Sequence, residues 1–158
     1  MRSFPPWIWM SAIDWRNIEN MTVAVRYLSK TGNTKKLAKA IGEAVGAQEE
    51  DLLSPIREPV EILFLGSAVY AAGIDEKVKK YLEENREQIG AIAAFSTAAL
   101  ISGTYRQLQR LCLQLEIPLM ESEYHCKGKF GPMHNGRPNK KDCEDAAQWA
   151  RTILEMHD

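Results

Sequence analysis

The 158-residue chain carries no excess charge of either sign, no long apolar run and no cysteine pattern, and each absence removes a class of function. Its 20 lysines and arginines against 21 acids leave a formal net charge of -1. The basic residues Lys127, Lys129, Arg137, Lys140 and Lys141 are interspersed with glycine, proline and acids, which reads as a solvated loop rather than a nucleic-acid surface. Three cysteines, Cys112, Cys126 and Cys143, are odd in number and lack CxxC spacing, so they fit a reducing cytoplasm better than a disulfide framework. His125 and Cys126 are adjacent but His134 and Cys143 stand far apart, so no zinc motif is formed. No segment has the length and apolarity needed to span a bilayer. The Walker and GxGxxG phosphate motifs are missing as well.

The chain is long enough for one well-buried domain, and 45% of its residues are hydrophobic. Residues 1–20 differ from the rest: Trp7, Trp9 and Trp15 crowd together, interrupted by Pro5-Pro6 and Asp14, with the single Arg2 as a weak charged leader. They read as an appendage resting on the domain or on another protein, with an upstream start or a docking segment as alternatives. The domain is expected over 21–158.

The most informative run is Ser29-Lys30-Thr31-Gly32-Asn33-Thr34, between the short apolar stretch from Val23 to Tyr27 and an amphipathic helical pattern beginning at Lys35. A phosphate needs convergent donors, and hydroxyls of Ser29, Thr31 and Thr34 can combine with amides from Gly32 to Thr34 at a helix N-terminus, with Gly32 permitting the tight turn. Lys35 and Lys36 oppose the helix dipole unless an anion sits there. The bland alternative is an ordinary turn with Asn33 or Thr31 as N-cap.

Leu37, Ala38, Ile41, Ala44 and Val45 recur at helical spacing and Gly46 supplies a stop. An edge strand around Gln48 to Leu52 leads to Ile62-Leu63-Phe64-Leu65, a buried strand bounded by Gly66. The link between them is short for a parallel crossover, so either its helix is reduced to a turn or the edge strand is misplaced. A helix face at Val78, Tyr81 and Leu82, a strand from Ala91 to Phe95, a helix face from Tyr105 to Leu115 and a strand from Ile117 to Tyr124 continue the alternation. Asn139 caps a last helix whose inward side carries Cys143, Ala146, Trp149, Ala150 and Ile153. Cys112, Cys143 and Trp149 read as core packing. Alternating strands and helices imply a parallel sheet covered on both faces, with ligands beyond the carboxyl ends of the strands. There the loops Ser29 to Thr34, Ser67 to Asp75 and Ser96 to Thr104 meet.

From about Met21 to Met156 the chain resembles a short-chain flavodoxin. Ser29 to Thr34 is similar to the Thr/Ser-x-Thr-Gly-x-Thr loop that holds the phosphate of FMN; Gly66-Ser67-Ala68-Val69-Tyr70 looks like the first flavin loop, and Phe95-Ser96-Thr97-Ala98-Ala99 stands where the second should be. The resemblance implies a doubly wound five-stranded parallel sheet in the order 2-1-3-4-5. It also implies FMN as cofactor, held by Ser29, Lys30, Thr31, Gly32, Asn33 and Thr34 at the phosphate. Ser67, Ala68, Val69, Tyr70, Ala71 and Gly73 would lie at the ring, and Ser96, Thr97, Ala98, Ala99 and Gly103 at its pyrimidine edge. Tyr70 is the first candidate for the stacking face, and the small Ala71, Ala72 and Gly73 would allow a carbonyl to turn toward the flavin. Unlike many flavodoxins, Thr97 to Gly103 contains no aromatic or carboxylate, so a flavin couple less negative than in strongly acidic flavodoxins is expected.

The implied function is electron transfer between a reductase and an acceptor enzyme, with no catalytic residue of its own. The rival is an FMN-dependent reductase or oxidase acting on a quinone, tetrapyrrole or similar acceptor, since fold does not decide between them. A flavin-free binding module is the third reading. A receiver domain needs an aspartate where Gly66-Ser67 stands, and a low-molecular-weight phosphatase needs Cys with Arg six residues on, where Pro118, Pro132 and Trp149 are found.

Overall fold

The computed structural model describes residues 22–29, 32–69, 74–98, 105–126 and 138–157. In chain order these form β1 (Val23–Leu28), α1 (Asn33–Val45), β2 (Glu49–Asp51), β3 (Ile62–Val69), α2 (Glu76–Asn85) with a 3-10 turn at Arg86–Gln88, β4 (Ile92–Ala98), α3 (Tyr105–Leu115), β5 (Tyr124–Cys126) and α4 (Lys140–His157). All pairings are parallel and the strand order is β2-β1-β3-β4-β5, as the resemblance implied. Residues 1–21 and the basic residues Lys127, Lys129 and Arg137 lie outside the described residues, whereas Lys140 and Lys141, expected in the same solvated loop, stand in the first turn of α4.

Two apolar layers hold the sheet. Val25, Ile62, Phe64, Ala93 and Phe95 point to one face, where they meet Leu37, Ala38 and Ile41 of α1 and Ala146, Ala150 and Ile153 of α4. The alternate residues Ala24, Leu63, Leu65, Ile92 and Ala94 meet Val78 and Leu82 of α2 and Leu108, Leu111 and Cys112 of α3. Burial on both faces explains the unbroken apolar run of β3. Each large side chain fully removed from water, Phe64 and Phe95 first among them, contributes about 1.5–3 kcal/mol.

Helix ends follow the expected signals with one change. Gly46, at φ 75°, stops α1 and returns its N–H to the Gly42 carbonyl. Asp75 caps α2 by accepting the Lys77 N–H at 2.8 Å. Asn139 and Asp142 exchange bonds of 2.9 and 2.8 Å, a reciprocal box at the start of α4. At α1, however, neither Thr31 nor Asn33 is the cap: the helix begins at Asn33, two residues before the hydrophobic pattern, with Gly32 as N-cap.

The strands depart further from the sequence pattern. Gly66 does not end β3, which runs on to Val69 in register with β4; glycine stands there because a side chain would strike the Phe95 ring. Gly66 is an internal gap that the neighbouring ring fills. β4 likewise extends to Ala98. The strand expected from Ile117 to Tyr124 is broken: Leu119 bridges Ile92, then pairing resumes only at Tyr124 opposite Phe95. Five steps on one chain against three on the other force the intervening acidic segment out of the ladder. Trp149 receives this bulge, donating from Nε1 to Ser122 Oγ at 3.0 Å while standing edge-on to Phe64 at 5.8 Å.

The edge strand is placed as expected, and the helix between β2 and β3 is what is missing. Ile56 and Val60 of the link fill part of its place in the core. Arg26, only 4% exposed on β1, holds the link by donating to the carbonyls of Ser54 and Pro55, each at 3.1 Å. Tyr81 adds a 2.8 Å bond to Ser54 O, and the Asn85 side chain accepts the Ile56 N–H at 3.2 Å.

Candidate functional site

The order of strands reverses between β1 and β3, so the connections leaving their carboxyl ends diverge and leave a crevice. Gly32 opens α1 there at φ 90° and ψ -5°, a left-handed conformation suited to glycine. Its N–H is accepted by Ser29 Oγ at 2.9 Å, and its carbonyl accepts the Lys36 N–H, the first rung of the helix. Having no side chain, Gly32 caps nothing, and the first-turn amides have no acceptor within the helix. The Thr34 side chain is fully buried and its hydroxyl lies 3.1 Å from that of Thr97, so this pair fastens the helix start to β4. Lys35 and Lys36 are exposed on the first turn.

Ser67, Ala68 and Val69 belong to β3, and Ser96, Thr97 and Ala98 to β4, in matched pairs across the ladder. Lys30, Thr31, Tyr70, Ala71, Gly73, Ala99 and Gly103 lie outside the described residues. The structure therefore brings together Ser29, Gly32, Asn33 and Thr34 at the end of β1, and the two serines at the ends of β3 and β4.

Ser67, Ser96 and His125 form one row across three strands. Ser96 is 2% exposed and its Oγ has no hydrogen-bond partner among the described residues. A buried hydroxyl in that condition costs about 1–3 kcal/mol unless something supplies a partner. Glu123 lines the same small hollow and contacts His125 Nδ1 at 3.1 Å. Sequence reasoning missed this acid–imidazole pair because it lies on no predicted loop; only the bulge before β5 brings it to the rim.

The neighbouring loops are tied at their ends. The Ile74 N–H donates to Gln107 Oε1 at 2.9 Å, joining the approach to α2 with the first turn of α3. Tyr105 donates to the Met120 carbonyl at 2.8 Å, and burial, followed by the charges of Glu121 and Glu123, pushes its phenol pKa up.

A sheet in this order, with its crevice at the β1–β3 reversal, decides the architecture. The chain has the flavodoxin fold. An archaeal flavodoxin superposes with a TM-score of 0.70 at 20% identity, covering 87% of this chain and 99% of that one. The flavodoxin fold also occurs as part of the rubredoxin oxygen:oxidoreductase of Desulfovibrio gigas, which matches with a TM-score of 0.66 at 16% identity, over 85% of this chain but only 35% of that longer one. In sequence, the uncharacterized protein MJ0298 of Methanocaldococcus jannaschii is 27% identical over 136 residues, 77% of this chain and 90% of that protein. No family model matches the chain. Among the described residues no helix stands between β2 and β3, and the buried Arg26 secures that link.

Proposed function

We propose that the chain is an FMN-binding electron-transfer protein, carrying electrons between a reductase and an acceptor enzyme in a reducing cytoplasm. One observation carries the reading: Gly32 opens α1 in a left-handed conformation at the point where the strand order reverses. An anion is favoured there by first-turn amides, which have no acceptor within the helix, and by the positive end of the helix dipole. The donor set fits a phosphate ester, with Ser29, Lys30, Thr31, Gly32, Asn33 and Thr34 around it. The Thr34 hydroxyl is engaged with Thr97, so its amide is the group offered. The unpartnered Ser96 hydroxyl is a further donor suited to the cofactor's polar edge.

Bound FMN supplies one- and two-electron transfer. The chain's share is to hold the phosphate, to give the ring an apolar slot with Tyr70 as stacking face, and to leave an edge open to partners. Ser67, Ala68, Val69, Ala71 and Gly73 would lie at the ring and Ser96, Thr97, Ala98, Ala99 and Gly103 at its pyrimidine edge. Glu123 adds one carboxylate near the rim, too little negative charge to drive the couple as low as in a strongly acidic flavodoxin.

The test is an FMN titration of the purified chain and of Ser96→Ala. The apo variant should be as stable as the parent or more so, with FMN bound about tenfold more weakly, one lost hydrogen bond in a dry site. A colourless chain that takes up no FMN leaves a flavin-free binding module. A second reading, an FMN-dependent reductase or oxidase, is favoured by the Glu123–His125 pair at the rim. Rapid NAD(P)H oxidation by the chain alone selects it.

A further inference from the structure

The helix-free link between β2 and β3 borders a sizeable space. A cavity of about 630 Å³ opens between the end of β1, the start of the link and the outer flank of α2. That is within the usual size of small-molecule sites, about 300–1,000 Å³. Its walls are held by bonds already described: Tyr81 to Ser54, and Arg26 to Ser54 and Pro55. The space is therefore pre-formed.

The lining has two characters. Leu28, Leu52 and the 90%-exposed Leu53 make an apolar lip beside Tyr27 and Tyr81. Lys35, Lys77 and Lys80 bring three ammonium groups from two different helices, and none of them makes an ion pair among the described residues. Two acids oppose them, Asp51 and Glu84, with Asp51 accepting the Leu53 N–H at 2.8 Å at the edge of the turn. Three ammonium groups against two carboxylates leave the lining one positive charge in excess, beside a surface able to take a flat apolar body.

We propose that this cavity is a second small-molecule site, for an aromatic polyanion of nucleotide size, lying on the β2 side of the Ser29–Gly32 turn. Its chemistry does not depend on what the cradle holds. The two sites share the wall formed by Ser29, Gly32 and Lys35, whereas Leu53, Lys77, Lys80 and Tyr81 belong to this cavity alone.

The experiment is calorimetric titration of the full FMN-loaded chain with adenosine diphosphate as probe, and in parallel with inorganic pyrophosphate. Lys77→Glu/Lys80→Glu is the variant, both positions being exposed on α2 and remote from the core. Saturable binding of the nucleotide with FMN retained is expected, weakened at least about tenfold in the variant, as loss of two charge-assisted contacts requires. FMN affinity should be unchanged. Pyrophosphate should bind more weakly, since it lacks the apolar body. No saturable binding, binding indifferent to the charge reversal, or displacement of FMN by the probe overturns the proposal. If the chain takes no FMN at all, the same titration on the apo chain still decides it, because Lys77 and Lys80 are outside the cradle.

Discussion

Replacing Arg26 by methionine should test what holds the helix-free link between β2 and β3. The guanidinium donates at 3.1 Å to Ser54 O, at 3.1 Å to Pro55 O and at 3.0 Å to Val25 O, and stands 3.4 Å from Glu50. Methionine keeps the apolar stem and removes every donor, leaving carbonyls and a carboxylate facing an apolar group. Removing one partner of a buried charged network costs about 3–5 kcal/mol. Glu50 is 28% exposed and regains some water, which places the loss near the low end, about 3 kcal/mol. With an m-value of about 1–3 kcal/mol/M the urea midpoint should fall by roughly 1–3 M. Glu50→Gln is the control, since it leaves the carbonyl bonds in place and should cost about 1 kcal/mol or less. The Glu50 carboxyl is held below its usual range first by a hydrogen bond with Ser54, then by Arg57 and Arg26, against the opposing effect of burial. Its contribution is therefore present at neutral pH and lost as acid protonates the folded form. An Arg26→Met midpoint within about 0.3 M of the parent, at unchanged m, would refute the reasoning and show that Ile56 and Val60 anchor the link unaided.

Gly66→Ala should destabilise by about 1–3 kcal/mol, because its Cβ strikes the buried Phe95 ring, and thermal unfolding should show it. Asn139→Ala removes half of the α4 box and should cost about 1 kcal/mol in the same assay, with Asn139→Asp nearly neutral. Thr34→Val and Thr97→Val should each cost about 1 kcal/mol while the double variant costs less than their sum, a coupling a double-mutant cycle measures. Burial pushes the Cys112 thiol up from 9.0 to about 12, so the unfolded chain ionises it first and stability should fall between those values. Urea midpoints from pH 9 to 11 check that sign, and a Cys112→Ala chain should show a shallower decline.

Fold class was legible because the apolar pattern is strong where the chain is buried on both sides. Ile62 to Leu65, the Leu37–Ala38–Ile41 stripe and the Asn139 cap each carry a local signal that agrees with the tertiary outcome. The errors have a shared physical cause: they lie where a distant residue decides a local conformation. Gly66 looks like a strand terminator until Phe95 is seen to need its empty side, and Ile117 to Tyr124 looks continuous until register with β4 breaks it. Arg26 was hidden inside an apolar stretch, since nothing nearby in sequence says that Ser54 and Pro55, 28 and 29 residues on, will take its donors. At the site, the hydroxyl-rich run was conspicuous, whereas the division of labour within it was not. Thr34 faces Thr97 because β4 extends beyond Phe95, and that extension was itself unread.

The pair Thr34–Thr97 also bears on how binding at the cradle reaches the ring slot. A ligand held by the first turn of α1 acts on an element whose buried hydroxyl is bonded directly to β4, the strand that ends at the pyrimidine-edge segment. On the other side of β4 the same strand presents Ser96 beside Glu123 and His125. In the proposed FMN site, the phosphate and ring positions would therefore be linked through one short strand end. Thr97→Val should consequently loosen FMN binding although its hydroxyl need not touch the cofactor, by about twofold to tenfold for a lost bond of about 0.5–1.5 kcal/mol. Thr34→Val should do the same to a similar extent. If Thr97→Val leaves FMN affinity untouched while Thr34→Val abolishes it, the Thr34 hydroxyl turns from Thr97 to the phosphate on binding, and the cradle is reshaped by its ligand rather than built in advance.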